Sequence, residues 1–140
     1  MLKTIVTALT LISLPAFAQT LSFTGQDLSG RYQCKGQDSH IGDFKSFIDL
    51  KINPAQSTGI HGAYDFIMTL PDNSTYDGFA AASTDSMALY FAHRDPAFKD
   101  YGVGISEIAR DTEGKVSFTK YYYGPQYEGG GHGFEQCSRL

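Results

Sequence analysis

The sequence predicts an all-β fold: eight antiparallel strands, joined in chain order, closing into an up-and-down barrel. Three observations carry that prediction. Apolar residues alternate with a period near two, and turn chemistry breaks the pattern at intervals of about 8 to 15 residues. No long stretch beyond residue 18 shows the 3.6-residue periodicity of an amphipathic helix. Two cysteines, Cys34 and Cys137, stand 103 positions apart near opposite ends of the chain. If they pair, the first and last strands are neighbours, and a meander whose ends meet has no open edge. A two-sheet sandwich is the rival arrangement.

The elements follow in order. Residues 1–18 read as a secretory signal peptide: Lys3 is their only charge, an apolar run covers 4–15, and Ala16-Phe17-Ala18 is a small-x-small cleavage pattern. The remaining residues, 19–140, form one domain large enough to bury a core. Strand one is expected over 28–35, followed by a loop over 36–43. Strand two covers 44–53, with Ile48, Leu50 and Ile52 on one face. A turn at 54–59 leads to strand three over 60–70, where Tyr64, Phe66, Met68 and Leu70 alternate. Pro71-Asp72-Asn73-Ser74 is a strong turn signal before strand four, 75–82. Strand five is 87–93, and a longer loop over 95–100 contains Pro96. Strand six is 101–110, and Asp111-Thr112-Glu113-Gly114 makes a hairpin turn into strand seven, 115–123. A glycine-rich loop over 124–131 precedes strand eight, 132–139.

Composition narrows the functional classes. Removing Lys3 with the leader leaves 10 basic against 15 acidic residues, a formal charge of −5, which argues against nucleic-acid binding. No apolar run after residue 18 approaches the roughly 20 residues of a spanning helix. A leader followed by an even cysteine count implies an oxidising compartment, periplasmic or extracellular, and a Cys34–Cys137 disulfide. A metal or redox pair is the alternative, but there is no C-x-x-C and no zinc-type histidine spacing. Facing cysteines in an antiparallel pair would set Tyr32 opposite Arg139 and Gly36 opposite Glu135.

Leu28-Ser29-Gly30-Arg31-Tyr32 resembles the opening of lipocalin-like and avidin-like barrels, where an aromatic ring after a glycine closes the floor. In lipocalins a basic residue of the last strand packs over that ring, a part the resemblance assigns to Arg139. Tyr stands here where the family carries Trp. The series Gly30-x-Tyr32-x-Cys34-x-Gly36-x-Asp38, Tyr76-x-Gly78, Tyr101-Gly102-Val103 and Gly133-x-Glu135 is similar to that of small exported bacterial barrels. Tyr32-Gln33-Cys34 with Cys137 also resembles the outline of periplasmic lysozyme inhibitors. Their Ser-Gly-x-x-Tyr inhibitory loop has no counterpart at that spacing.

Alternation that points Tyr32 inward also points Cys34, Cys137 and Glu135 inward. A buried carboxylate needs a partner, so Glu135 either anchors a ligand's amine or hydroxyl or bonds within the protein. His93 shares a face with Met87, Leu89 and Phe91, as a core residue or as part of a barrel-mouth cluster. His40, His61 and His132 lie in or beside loops without shared spacing, so no metal is expected. Nine tyrosines without a tryptophan suit either a packed core or a cavity for an amphipathic ligand. Gly129-Gly130-Gly131-His132-Gly133 precedes a strand and lacks lysine, so it is no phosphate cradle. No G-x-S-x-G elbow is present. The expectation is a non-catalytic exported monomer without a cofactor. It would hold a small, partly apolar ligand at the barrel mouth, lined by Tyr64, Tyr76, His93, Tyr101, Tyr122 and Glu135. A protein-binding role through the loops 36–43, 95–100 and 124–133 is the second expectation.

Overall fold

The computed structural model describes residues 21–140. The predicted leader, 1–18, lies outside the described residues. Eight strands run in chain order: β1 (Gly30–Asp38), β2 (Gly42–Ile52), β3 (Gly62–Thr69), β4 (Thr75–Ala82), β5 (Ser86–His93), β6 (Tyr101–Arg110), β7 (Val116–Gly124) and β8 (Gly131–Arg139). Each pairs antiparallel with the next, and β8 returns to β1, so the sheet is a closed barrel. In the closing pair Cys34 stands opposite Cys137, Tyr32 opposite Arg139 and Gly36 opposite Glu135. The two cysteines form the disulfide, which ties the first strand to the last.

The largest departure from the sequence reading is at β1. The segment 36–43 is not a loop, because β1 continues to Asp38 and β2 begins at Gly42. Asp38 makes the tight turn possible: its Oδ1 accepts from the His40 amide at 2.8 Å and the Ile41 amide at 3.3 Å. Gly42 then takes a positive φ of 75°. Elsewhere the strand ends move by one or two residues.

Inward positions fill the barrel with a continuous core that includes Ile48, Leu50, Phe66, Met87, Leu89 and Phe118. The floor is sealed by the segment before β1. The Tyr32 hydroxyl donates to the Leu28 carbonyl at 2.8 Å, and the Leu28 amide donates to the Tyr64 hydroxyl at 3.1 Å. The Tyr64 hydroxyl in turn donates to the Gln26 carbonyl at 3.2 Å. The Arg139 guanidinium lies over the Tyr32 ring, 5.7 Å from its centroid, and bonds the Ser29 carbonyl. Gly30 is required there: its φ is 146°, and a Cβ would stand 2.9 Å from Arg139 Nε. This is where the structure corrects the expectation for Tyr64. It is a floor residue, sealed under Gln26–Leu28, and not part of the mouth. Its strand enters from the floor, so a position only two residues into β3 is still near that end.

Candidate functional site

The open end of the barrel holds a cleft of about 90 Å³. Alternation along β7 points Phe118, Lys120 and Tyr122 inward. Lys120 stands directly opposite Glu135 of β8. Both side chains are buried, with relative exposures of 1 %. The Lys120 ammonium contacts Glu135 Oε2, and the Ser46 hydroxyl donates to Glu135 Oε1 at 2.6 Å. The ammonium also sits 5.2 to 5.7 Å from the ring centroids of Phe66, Phe91 and Tyr122, contacts worth about 0.5–2 kcal/mol each. Lys120 Nζ lies 3.8 Å from Met68 Sδ. A hydrogen-bonded, ring-enclosed ion pair therefore forms the bottom of the cleft.

Two glycines make room for this arrangement. A Cβ on Gly36 would lie 2.5 Å from the Phe44 ring, and one on Gly133 would lie 2.5 Å from the Tyr122 hydroxyl oxygen. Phe44 and Tyr122 meet edge to face at 6.4 Å, as do Phe91 with Tyr122 at 6.0 Å and Tyr76 with Phe91 at 5.9 Å. These rings form the wall, with Leu70, Ile41 and Tyr127 nearer the rim.

Two tyrosine–carboxylate pairs gird the wall. The Tyr122 hydroxyl donates to Asp38 Oδ2 at 2.6 Å and the Tyr76 hydroxyl to Asp100 Oδ2 at 2.7 Å. Burial, then the carboxylate acceptor, pushes both phenols well above their ordinary value, so both remain donors. Burial pushes the Asp38 carboxyl up, but the Tyr122 hydroxyl and the His40 and Ile41 amides outweigh it and hold Asp38 below the usual carboxylate value. Asp38 thus contributes stability that is fully present above the unfolded-chain value of about 3.9 and is lost as pH falls through the folded value. Tyr122→Phe is expected to raise the Asp38 carboxyl toward its ordinary value, read by NMR titration of the side-chain carboxyl. An unchanged midpoint would assign the lowering to the backbone amides alone.

The loops around the cleft are joined to one another. The Ser39 amide donates to the His132 carbonyl at 2.9 Å and the His132 amide to Ser39 Oγ at 3.0 Å. His40 Nε2 lies 3.1 Å from the Gly130 carbonyl, and its ring packs edge-on against Tyr127.

Of the six residues expected at the mouth, Tyr76, Tyr122 and Glu135 line the cleft. His93 stands beside it, its ring 5.1 Å from Tyr76 and 4.3 Å from Phe98, and its Nδ1 accepts from the Asp95 amide. Tyr64 is at the floor, as described. Tyr101 is a second correction: it points outward and is 36 % exposed. Gly102 and Gly104 take the two inward positions at the mouth end of β6, because the Phe91 ring and the Leu89 side chain fill the space beside them. Lys120, Ser46 and Phe44 were not anticipated, and Asp38 and Asp100 entered only as members of the loops 36–43 and 95–100 of the second expectation. For Lys120 the signal was available, since alternation in Phe118-x-Lys120-x-Tyr122 puts the lysine on the same face as its aromatic neighbours.

Among the described residues no helix is long and apolar enough to cross a membrane, and no group of three His, Cys, Asp or Glu could hold a metal ion. The chain matches no family model, no curated protein sequence and no solved structure.

Proposed function

We propose that the chain is a non-catalytic exported binding protein that holds a small, partly apolar molecule at the mouth of its barrel. The Lys120–Glu135 pair beneath an open, ring-walled cleft carries the reading. A buried ion pair contributes little net stability over apolar residues of the same volume, so its place at the bottom of a cleft is better explained by recognition than by folding. Glu135 and Lys120 would orient the polar end of the ligand, and Phe44, Phe91, Tyr76 and Tyr122 would contact its apolar part. With Asp38, Asp100 and Glu135 against Lys120, the cleft favours an amine or hydroxyl over a carboxylate. Its 90 Å³ lies well below the roughly 300–1,000 Å³ of drug-sized sites, so the ligand is small or only partly enclosed. The disulfide and the leader-like residues 1–18 support export, periplasmic or secreted. The Arg139–Tyr32 stacking supports the lipocalin-like resemblance.

The test is calorimetric titration with benzylamine, benzyl alcohol and benzoate. Binding in the order amine or alcohol above benzoate is expected. Glu135→Gln should weaken it at least about tenfold, while the outward Phe134→Ala leaves it unchanged. No heat with any of the three at millimolar concentration, and no extra mass in native mass spectrometry, would sink the reading.

The small volume also favours a second reading, a protein-binding or inhibitor module whose partner inserts one side chain between the joined loops. Failure of every small probe would move the weight to that alternative.

A further inference from the structure

We infer that Lys120 captures a small aldehyde covalently, as a protonated imine whose charge stays paired with Glu135. The inference rests on the binding reading above and names a chemical class for its ligand. Among the described residues that line the cleft, Lys120 alone carries a positive charge. Its ammonium has three N–H donors. Glu135 Oε2 meets one of them, and the other acceptor at hand is the Met68 sulfur at 3.8 Å, a weak one. Donor capacity is therefore left for a ligand oxygen. A carbonyl oxygen accepts such a bond and is neutral beside Glu135. Unlike an alcohol, it also presents a carbon that an amine nitrogen attacks. Lys120 and Glu135 line the open cleft, so a small molecule reaches the nitrogen from the mouth.

The step balances with the groups in place. Glu135 Oε2, in contact with the ammonium, takes one of its protons. The freed lone pair on Nζ forms a bond to the carbonyl carbon, and the carbonyl π pair moves onto oxygen. A second proton passes from nitrogen to that oxygen. Glu135 then returns its proton to the same oxygen, the C–O bond breaks, and water leaves through the mouth as the C=N bond forms. Two of the three ammonium protons thus leave in the water, and one stays on nitrogen. No oxidant or reductant is needed. Asp38 and Asp100 on the wall are engaged by the Tyr122 and Tyr76 hydroxyls at 2.6 and 2.7 Å, which leaves Glu135 as the carboxylate that serves the nitrogen.

Charge selects the aldehyde over other electrophiles. An acyl donor would convert Lys120 to a neutral amide and leave Glu135 buried without its cation, which is costly. A protonated imine keeps one positive charge on the same nitrogen. It therefore keeps the pairing with Glu135 and the contacts to the Phe66, Phe91 and Tyr122 rings. The ring walls then cover the apolar body of the aldehyde. The other lysines described, Lys35, Lys45, Lys51, Lys99 and Lys115, are exposed to water and none of them lines the cleft.

The test is trapping with benzaldehyde and sodium cyanoborohydride at neutral pH, which adds hydride to the imine carbon and fixes a benzyl group on nitrogen. Intact mass and peptide mapping read the result. One benzyl group on Lys120 is expected, placed at least about tenfold faster than on any of the five exposed lysines, because the cleft holds carbonyl and amine together. Excess benzyl alcohol should slow the reaction at Lys120 and leave the others unchanged. Lys120→Arg keeps a cation against Glu135 and should abolish the fast site. The mapping of the wild-type chain decides the matter even if that variant does not fold. A Lys120 that stays unmodified, or reacts no faster than the exposed lysines, would overturn the inference. If benzyl alcohol still binds by calorimetry in that case, only the covalent step fails and the binding reading stands; if it does not bind, both fail.

Discussion

Lys120→Met is expected to destabilise the protein by about 3–5 kcal/mol, lowering Tm by roughly 10–20 °C. The methionine fills nearly the same volume and keeps the contacts to Phe66, Phe91 and Tyr122, so packing is not the source. The loss comes from Glu135, which is buried to 1 % exposure and would retain the Ser46 hydroxyl as its one remaining partner. A carboxylate at that depth without its cation carries the full cost of leaving water. Lys120→Met combined with Glu135→Gln should therefore recover most of the loss, because both charges are then gone. Urea unfolding of the two single variants and the double variant makes the cycle. Additive losses would mean that the two groups do not stabilise each other, and the cleft bottom would then be two independent polar residues.

Cys34→Ala with Cys137→Ala should cost about 2–5 kcal/mol, and the chain-entropy treatment of a loop near 100 residues gives about 4–5 kcal/mol. The effect acts chiefly on the unfolded chain, whose cross-link at a separation of 103 removes long-range freedom. In the folded barrel the β1–β8 ladder spans Tyr32–Asp38 against Gly133–Arg139 and closes the sheet with or without the sulfur bridge. The variant is thus expected to unfold cooperatively at lower denaturant, with its native circular dichroism intact. A loss below about 1 kcal/mol would show that the unfolded chain is already restricted by other contacts.

Much of the architecture was legible in the sequence. The alternation of Ile48, Leu50 and Ile52, and of Tyr64, Phe66 and Met68, identified strands because a side-chain period of two is a property of the extended backbone itself. The two cysteines joined the ends of the meander, and their facing positions placed Arg139 at Tyr32 and Glu135 at Gly36 with no further information. The candidate site was less legible. Alternation tells inward from outward only once a strand's phase is known, and Tyr101 was assigned the wrong phase because two inward glycines leave no apolar pattern to read. Nor does alternation tell height along the barrel, which sent Tyr64 to the mouth when its strand rises from the floor.

What the sequence determined by itself is the all-β class, the order of the strands and the closing register, all of which follow from local periodicity and one covalent constraint. The tertiary structure alone decided which side chains share a level inside the barrel. Lys120, Glu135, Ser46 and Asp38 come from four strands and from positions up to 97 residues apart, and no local pattern relates them. Their meeting depends on the stagger of each strand against the next around a closed sheet, a quantity set by the whole ladder of hydrogen bonds and not by any one segment.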